Sequence, residues 1–143
     1  GATPLDRFFA LETDASLFVP ATRLAEAHAR HQPATFMYRF AWRSPLEGGR
    51  LGACHALDVP FVLGTLDANP ALAAFAGSDA AARRVVEATM DAWIRFARTG
   101  DPGWPAYEPV RRATFRIDDP CRIEDAPDED KRSLFAALQE ARS

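Results

Sequence analysis

The sequence predicts an α/β domain that is rich in helices and contains two or three strands. In residues 78–99 the apolar side chains recur at intervals of three and four, which places them on one face of a helix. In residues 36–42 aromatic side chains alternate with other residues, as they do in a strand. Residues 114–117 are typical of a second, shorter strand that ends at the turn residues Asp118-Asp119-Pro120.

Length and composition narrow the class of protein. The 143 residues correspond to one domain's worth of chain, and 48% hydrophobic with 26% charged residues excludes wholesale disorder. The formal net charge of −3 provides no basic field for phosphate, so we expect no nucleic-acid partner. No apolar run reaches the roughly 18 residues of a membrane span, so we expect no membrane partner. Two cysteines, Cys54 and Cys121, are too few for a disulfide scaffold, and we expect them to be free thiols.

One helix is expected before the aromatic strand. Residues 1–18 show no clear period, although their apolar side chains suggest packing against something larger. Pro20 suits a first helical position, and residues 21–31 are rich in strong helix formers. Gln32-Pro33 ends this helix. The strand at 36–42 has one aromatic face and one half-apolar face, so we expect it inside a sheet and covered on both sides.

Three helices are expected between the first and second strands. Residues 58–63 predict one or two helical turns, and residues 69–75 predict another short helix. The longest helix begins with Ser78 or Asp79 as its N-cap and ends at Gly100, the expected C′ residue. Its predicted buried stripe consists of Val86, Met90, Trp93 and either Phe96 or Ala97. Beyond the strand at 114–117 we expect a further strand at 121–124 and a terminal helix at 128–141.

The single histidine of the segment 50–64, His55, is the candidate catalytic residue. It follows the aromatic strand on a loop whose small residues and glycines allow a tight turn. An imidazole titrates near neutral pH and therefore suits general acid–base chemistry. A purely structural loop histidine is the alternative interpretation. Cys54 beside it could suggest a cysteine nucleophile, but adjacent side chains in an extended chain point to opposite sides, which disfavours such a pair.

The residues around His55 carry a specific resemblance. Residues 52–64 read Gly-Ala-Cys-His-Ala-Leu-Asp-Val-Pro-Phe-Val-Leu-Gly, and further blocks at 18–20, 38–42, 93–102 and 104–107 follow in family order. Together they resemble type-B carboxylesterases, the α/β-hydrolase family that includes p-nitrobenzyl esterases and, more distantly, cholinesterases. The family pattern is Gly-x-x-His-Gly-x-Glu-x-x-Tyr/Phe-Val-Phe-Gly. The resemblance implies the C-terminal portion of an α/β-hydrolase fold, with His55 as the catalytic histidine and with neither metal nor cofactor.

Three residues of this block depart from the family pattern. Ala56 replaces the glycine after the histidine, which predicts an ordinary backbone conformation at that position. Asp58 replaces a glutamate and keeps the charge on a shorter arm. We expect it to fix the loop through a side-chain hydrogen bond or ion pair and not to act as the triad acid. Leu63 replaces an aromatic residue.

By resemblance, the intact enzyme cleaves carboxylic esters with a serine in a Gly-x-Ser-x-Gly elbow, an acid and a histidine. Only His55 finds a match here, because no serine of the chain lies in such an elbow. The serines are Ser16, Ser44, Ser78, Ser133 and Ser143. We therefore expect residues 1–143 to be the C-terminal part of a larger carboxylesterase domain, inactive by itself. The resemblance makes a small-molecule ester the substrate, and Leu57, Phe61 and Leu63 are candidates to line or support its pocket.

Two functions other than catalysis stay open. The chain could be a self-associating module, because the edges and apolar faces of the strand at 36–42 would be uncovered in isolation. This expectation predicts a dimer or higher oligomer. The chain could also be an esterase-like adhesion domain, although relatives of that kind need not keep His55.

Overall fold

The computed structural model describes residues 3–141, which form helices on both sides of a small sheet. The helices are α1 (Pro4–Thr13), α2 (Val19–Ala29), α3 (Leu46–Gly49), α4 (Val59–Val62), α5 (Pro70–Ala76), α6 (Ala80–Thr99) and α7 (Glu129–Glu140). A π-helical turn, Asp14–Phe18, joins α1 to α2. The strands are β1 (Met37–Phe40), β2 (Thr114–Ile117) and β3 (Arg122–Glu124).

The helix α1 was not predicted. Its N-terminus is a capping box, in which Asp6 N–H donates to Thr3 Oγ1 at 3.2 Å and Thr3 N–H donates to Asp6 Oδ2 at 2.8 Å. No residue of α1 is buried, and Phe8 and Phe9 are each 58% exposed. Leu5, Phe8 and Phe9 nevertheless recur at the helical intervals of three and four, a period that the prediction missed.

The sheet has the order β1-β2-β3. β1 pairs with β2 in parallel, with Tyr38 opposite Phe115, and β2 pairs with β3 in antiparallel fashion. β1 is shorter than the predicted strand. We expected it inside a sheet, but within residues 3–141 it pairs on one side only. Its second edge is therefore open in this part of the chain.

The long helix α6 is confirmed, and its predicted buried stripe is correct in part, because Val86 and Trp93 are half-buried and pack against the core. Asp79 caps the helix by accepting from Ala82 N–H at 2.8 Å, and Gly100 follows it with φ +74°. The buried residues are Ala82, Val85, Thr89 and Ala92. Phe96 is 48% exposed. The buried residues and the predicted ones recur at the same intervals and lie side by side on this helix. In the fold, the set with the smaller side chains is the more deeply buried of the two. The buried hydroxyl of Thr89 is satisfied because it donates to Val85 O at 2.7 Å.

The core lies between α4, α6 and the sheet. Its buried residues are Leu57, Phe61, Leu66, Ala76, Ala82, Val85 and Ile117. The Phe61 ring lies 5.2 Å from that of Phe40 and 5.8 Å from that of Trp42. Trp42 is fixed in turn, because its indole N–H donates to Ala76 O at 2.8 Å. The remaining predicted elements, α4, α5, β2, β3 and α7, are confirmed to within a residue or two at each end.

Candidate functional site

His55 lies at the second position of a tight turn. The turn is closed by Leu57 N–H, which donates to Cys54 O at 3.2 Å, and Val59 N–H then donates to Ala56 O at 3.3 Å. His55 is exposed, and its ring has no hydrogen-bond partner among residues 3–141. Leu57, two residues on, is fully buried in the core. The turn therefore presents the imidazole to solvent from a base that is anchored in the core.

Ala56 contradicts the ordinary backbone conformation expected of it. Its φ is +63°, in the left-handed region that glycine enters freely and that costs an L-residue about 1–2 kcal/mol. It is the third residue of the turn from Cys54 to Leu57, and a positive φ at this position is the reason type II turns favour glycine there.

The three predicted pocket residues lie in different environments. Leu57 and Phe61 are completely buried in the core, while Leu63 is 63% exposed. A fully buried side chain contacts its neighbours and leaves none of its surface for a ligand. Leu57 and Phe61 are therefore placed to support the base of the His55 turn, and Leu63 is the one of the three with surface available. A contact of these residues with substrate stays a prediction.

Asp58 holds the loop differently from our expectation. Among residues 3–141 its carboxylate makes neither a side-chain hydrogen bond nor an ion pair, so that part of the prediction is wrong. Its backbone carbonyl instead accepts from Phe61 N–H and Val62 N–H, both at 3.0 Å, and so starts α4. The carboxylate charge acts on Tyr38: burial, and to a smaller degree the Asp58 charge, raises the pKa of this phenol.

Both cysteines are free, as expected. Cys54 is half-buried and packs against the core, whereas the neighbouring His55 is exposed. The two adjacent side chains therefore occupy different environments, which argues against a Cys–His pair. Cys121 is also half-buried and its Sγ lies 3.2 Å from Asp118 O, while burial raises the pKa of its thiol.

Neither a metal site nor a membrane span is found in the described residues. Between residues 3 and 141 no three His, Cys, Asp or Glu side chains are grouped so that they could hold a metal ion. None of the helices in that range combines the length and apolar character needed to cross a bilayer.

Comparison with known proteins extends the likeness from the His55 turn to nearly the whole chain. The profile of the Carboxylesterase family matches residues 2–134. The chain belongs to the carboxylesterase family. Para-nitrobenzyl esterase of Bacillus subtilis is 36% identical over 134 residues, which cover 90% of this chain and 27% of that protein. Phenmedipham hydrolase of Pseudarthrobacter oxydans is 37% identical over 106 residues, covering 69% of this chain and 20% of that protein.

The structural comparison agrees with the sequence matches. A solved PNB esterase superposes on this carboxylesterase-family chain with a TM-score of 0.76 at 32% identity, over 92% of this chain and 27% of the other. The predicted fold class, the C-terminal portion of an α/β-hydrolase, is thereby confirmed. The chain spans 20–27% of the length of these curated relatives.

Two cavities were not foreseen from the sequence, and neither includes His55 in its lining. The first, of about 230 Å³, lies where the π-helical turn and α2 face β1 and α7. The second, of about 220 Å³, lies on the α6 side of the sheet and is lined mainly by aromatic residues. Tyr38 of β1 borders both.

The first cavity contains a buried tyrosine to which the sequence assigned no role. Tyr107 is 3% exposed, and its N–H donates to Thr35 O at 2.7 Å. Its hydroxyl has no hydrogen-bond partner within residues 3–141. Burial, with a smaller effect from Glu26, raises the pKa of Tyr107 to about 12. The only sequence signal was its place in the block Trp104-Pro105-Ala106-Tyr107, which resembles the family but gives no indication of burial.

Proposed function

We propose that this chain supplies the catalytic histidine, His55, to a serine-dependent carboxylic-ester hydrolase. The observation that carries the proposal is the exposed imidazole on a core-anchored turn that follows β1 and α3, inside a chain of the carboxylesterase family. In such an enzyme the histidine takes the proton of the serine hydroxyl during attack and returns it to the leaving alcohol. Water then follows the same route in deacylation.

The nucleophile and the acid of this proposal lie outside residues 1–143. None of the five serines stands in a Gly-x-Ser-x-Gly elbow. Ser44 is fully buried, with its hydroxyl donating to Phe75 O, so it is unavailable for attack. Residues 1–143 are accordingly the C-terminal part of a larger catalytic domain, and the isolated chain has no esterase activity.

The proposed substrate class is a small carboxylic ester. Two relatives that match over more than two thirds of this chain are named para-nitrobenzyl esterase and phenmedipham hydrolase, which supports a small, partly aromatic ester. On the side of this chain, Leu63 offers an exposed apolar surface directly after α4, the helix that follows the His55 turn, and Leu57 and Phe61 support the turn from the core. No metal or cofactor takes part in the proposed reaction.

A comparison of the esterase activities of two polypeptides tests whether the nucleophile and the acid lie outside residues 1–143. The 143-residue chain and the polypeptide encoded by the complete coding region are each assayed with p-nitrophenyl acetate at neutral pH. We expect turnover by the complete polypeptide and none above background by the chain alone. Turnover by the 143 residues with a serine-hydrolase burst would contradict the proposal, as would a complete polypeptide without an upstream serine elbow.

Association with another chain is the second candidate function, and the exposure of α1 favours it. Leu5, Phe8 and Phe9 are between 58% and 61% exposed on a helix with no buried residue. Apolar surface of this kind is typical of an interaction site. Light scattering at high concentration tests it, since self-association gives a dimer or higher oligomer and an unassociated chain gives 15.7 kDa.

A further inference from the structure

The terminal helix α7 lies against the first cavity with little apolar packing of its own. Asp128, just before the helix, and Arg132, in its first turn, belong to the lining of that cavity. None of the side chains described for α7 is buried, and Leu134 and Leu138 are 58% and 51% exposed. Burial of apolar surface therefore holds α7 less firmly than it holds α6, which has a buried face.

Ion pairs connect the start of α7 to four other parts of the chain: β1, the π-helical turn, α2 and the segment before β2. The pairs are Asp128 with Arg39, Glu129 with Arg112, Lys131 with Asp14 and Arg132 with Glu26. Lys131 Nζ lies 3.1 Å from Asp14 Oδ1, and Arg132 Nη1 lies 3.8 Å from Glu26 Oε1. The side chains of Asp14, Arg112 and Glu26 are only 15%, 16% and 21% exposed. Charges in such half-buried places are screened less than charges at an open surface, so these four contacts are the main attachment of α7.

The segment that leads into α7 has a strained backbone. Ala126 has φ +46° and Asp128 has φ +54°, in the left-handed region that non-glycine residues rarely adopt, and Pro127 lies between them. Ala126 N–H donates to Arg111 O at 3.0 Å, which fixes the near end of this segment to the body of the chain. The pair of Asp128 with Arg39 fixes the other end. Because strain of this kind persists only while the surroundings impose it, breaking that pair lets the segment relax.

We propose that α7 is a strap, held over the first cavity by these four ion pairs and hinged at residues 126–128, that detaches when the pairs are screened. Raising the ionic strength from 0.1 to 1 M shortens the Debye length from about 10 to about 3 Å and weakens all four attractions together. A detached α7 has 12 residues, too few for a stable isolated helix, so it unfolds. Detachment also uncovers Tyr107, which lines the same cavity and is 3% exposed. The inference concerns access to this cavity and does not depend on the role of His55.

Amide hydrogen exchange of the 143-residue chain at 0.1 and 1 M NaCl tests the detachment, because it reports local opening. We expect the amides of residues 133–136 in α7 to exchange at least about tenfold faster at 1 M, since several ion pairs weaken at once. The amides of residues 85–92 in α6 are the internal reference and should change by less than about twofold. Equal acceleration in both helices means global unfolding, and no acceleration in α7 means attachment by packing. Either result overturns the proposal.

Reversing the charges of one pair tests the electrostatic attachment directly. Lys131→Glu places a like charge opposite Asp14 and should accelerate exchange in α7 at least about fivefold at 0.1 M NaCl. Adding Asp14→Lys restores opposite charges, so the double variant should exchange more slowly than either single variant. Asp130→Lys is the matched control, because Asp130 is exposed in the same turn and makes no ion pair within residues 3–141; it should stay within about twofold of wild type. Additive effects of the two reversals overturn the proposal, and rescue by the double variant excludes simple misfolding.

Acetylation by N-acetylimidazole tests whether α7 covers the cavity. The reagent modifies accessible tyrosine hydroxyls, and the chain has two tyrosines, of which Tyr107 is 3% and Tyr38 is 39% exposed. We expect the ratio of Tyr107 to Tyr38 acetylation, measured by mass spectrometry, to rise at least about fivefold between 0.1 and 1 M NaCl. Lys131→Glu should raise this ratio already at 0.1 M. A ratio that stays constant while the α7 amides exchange faster overturns the assignment of α7 as the cover of this cavity.

Discussion

Leu57 N–H donates a hydrogen bond to Cys54 O, with 3.2 Å between nitrogen and oxygen, and this bond spans His55 and Ala56. Leu57 is fully buried and Cys54 is half-buried against the same core. The turn is thus held at both ends by packing, and the exposed imidazole needs no side-chain partner to keep the backbone in place. Ala56 adopts its left-handed conformation within this anchored turn.

Replacing Ala56 with glycine is expected to stabilise the chain. At φ +63° the change removes a steric cost of about 1–2 kcal/mol and adds an unfolded-state entropy cost of about 0.4–1 kcal/mol. The free energy of unfolding should rise by about 0.5–1 kcal/mol in urea denaturation. Ala53→Gly is the matched control, because Ala53 is exposed in the same loop and has no positive φ. It should destabilise, and stabilisation by both variants would refute the strain argument.

Alanine substitutions at Gly64 and Gly100 distinguish the energetic cost of backbone strain from that of a steric clash. A Cβ on Gly64 would lie 2.5 Å from Met90 Sδ, whereas a Cβ on Gly100 would meet nothing within 4 Å. Both glycines have φ near +70°, at +64° and +74°. Gly100→Ala should therefore cost about 1–2 kcal/mol from the backbone alone. Gly64→Ala should cost about 1 kcal/mol more, because the Met90 side chain must move. Equal losses of stability for the two variants in thermal unfolding would show that the close approach of residue 64 to Met90 is unimportant.

Phe61 and Leu63 should respond very differently to truncation. Phe61 is fully buried between aromatic neighbours, so Phe61→Ala should lower the free energy of unfolding by about 3–5 kcal/mol. Leu63 is 63% exposed, and Leu63→Ala should stay within about 0.5 kcal/mol of the wild type. Denaturation of the two variants under the same conditions checks this. A small loss for Phe61→Ala would contradict its role as the support of the His55 turn.

Glu129 contributes to the acid sensitivity of the chain. Its carboxylate accepts from Arg132 Nη2 at 2.7 Å and is bound by Arg112, and the hydrogen bond from Arg132, with smaller effects from Ser133 and Arg112, lowers its pKa from 4.5 to about 2. Because the pKa is depressed in the folded state, the stabilisation is complete above pH 4.5 and is lost as the pH falls towards 2.

Glu129→Gln should therefore flatten the dependence of stability on pH between about 4.5 and 2, and the difference from wild type should shrink as the pH falls. Denaturation midpoints measured at several pH values in this window check it. Glu140→Gln, at the other end of the same helix, is the control. A pH dependence that Glu129→Gln leaves unaltered would mean that these arginines do not stabilise the charged carboxylate in solution.

Short sequence signals, such as capping and turn residues, were sufficient to predict most of the helices and strands. The N-cap Asp79 and the C′ glycine Gly100 delimit α6, and the turn residues after Ile117 end β2, so each of these boundaries is encoded within a few residues. The most deeply buried residues of α6 were misassigned because Val85 and Val86 both belong to sets of residues with helical spacing. Only contact with the core decides between them, and the local sequence does not contain that contact.

The candidate site was predictable only where it depends on local sequence. His55 and its block were recognisable, but the left-handed φ of Ala56 depends on how Leu57 is anchored in the core. The open cavity beside Tyr107 depends on how α2, β1 and α7 meet, and these elements are distant in the sequence. The helix α1 went unpredicted although Leu5, Phe8 and Phe9 recur at intervals of three and four, so its signal was present in the sequence and was missed.

The most direct measurement of the central claim is the kcat of the polypeptide encoded by the complete coding region with His55→Ala. With p-nitrophenyl acetate as the substrate, we predict a fall in kcat of at least about 10⁴-fold, because the general base of both half-reactions is lost. His31→Ala, which removes another exposed histidine, should keep wild-type kcat. A His55→Ala enzyme whose kcat stays within about tenfold of the wild type would contradict the assignment of His55 as the catalytic histidine.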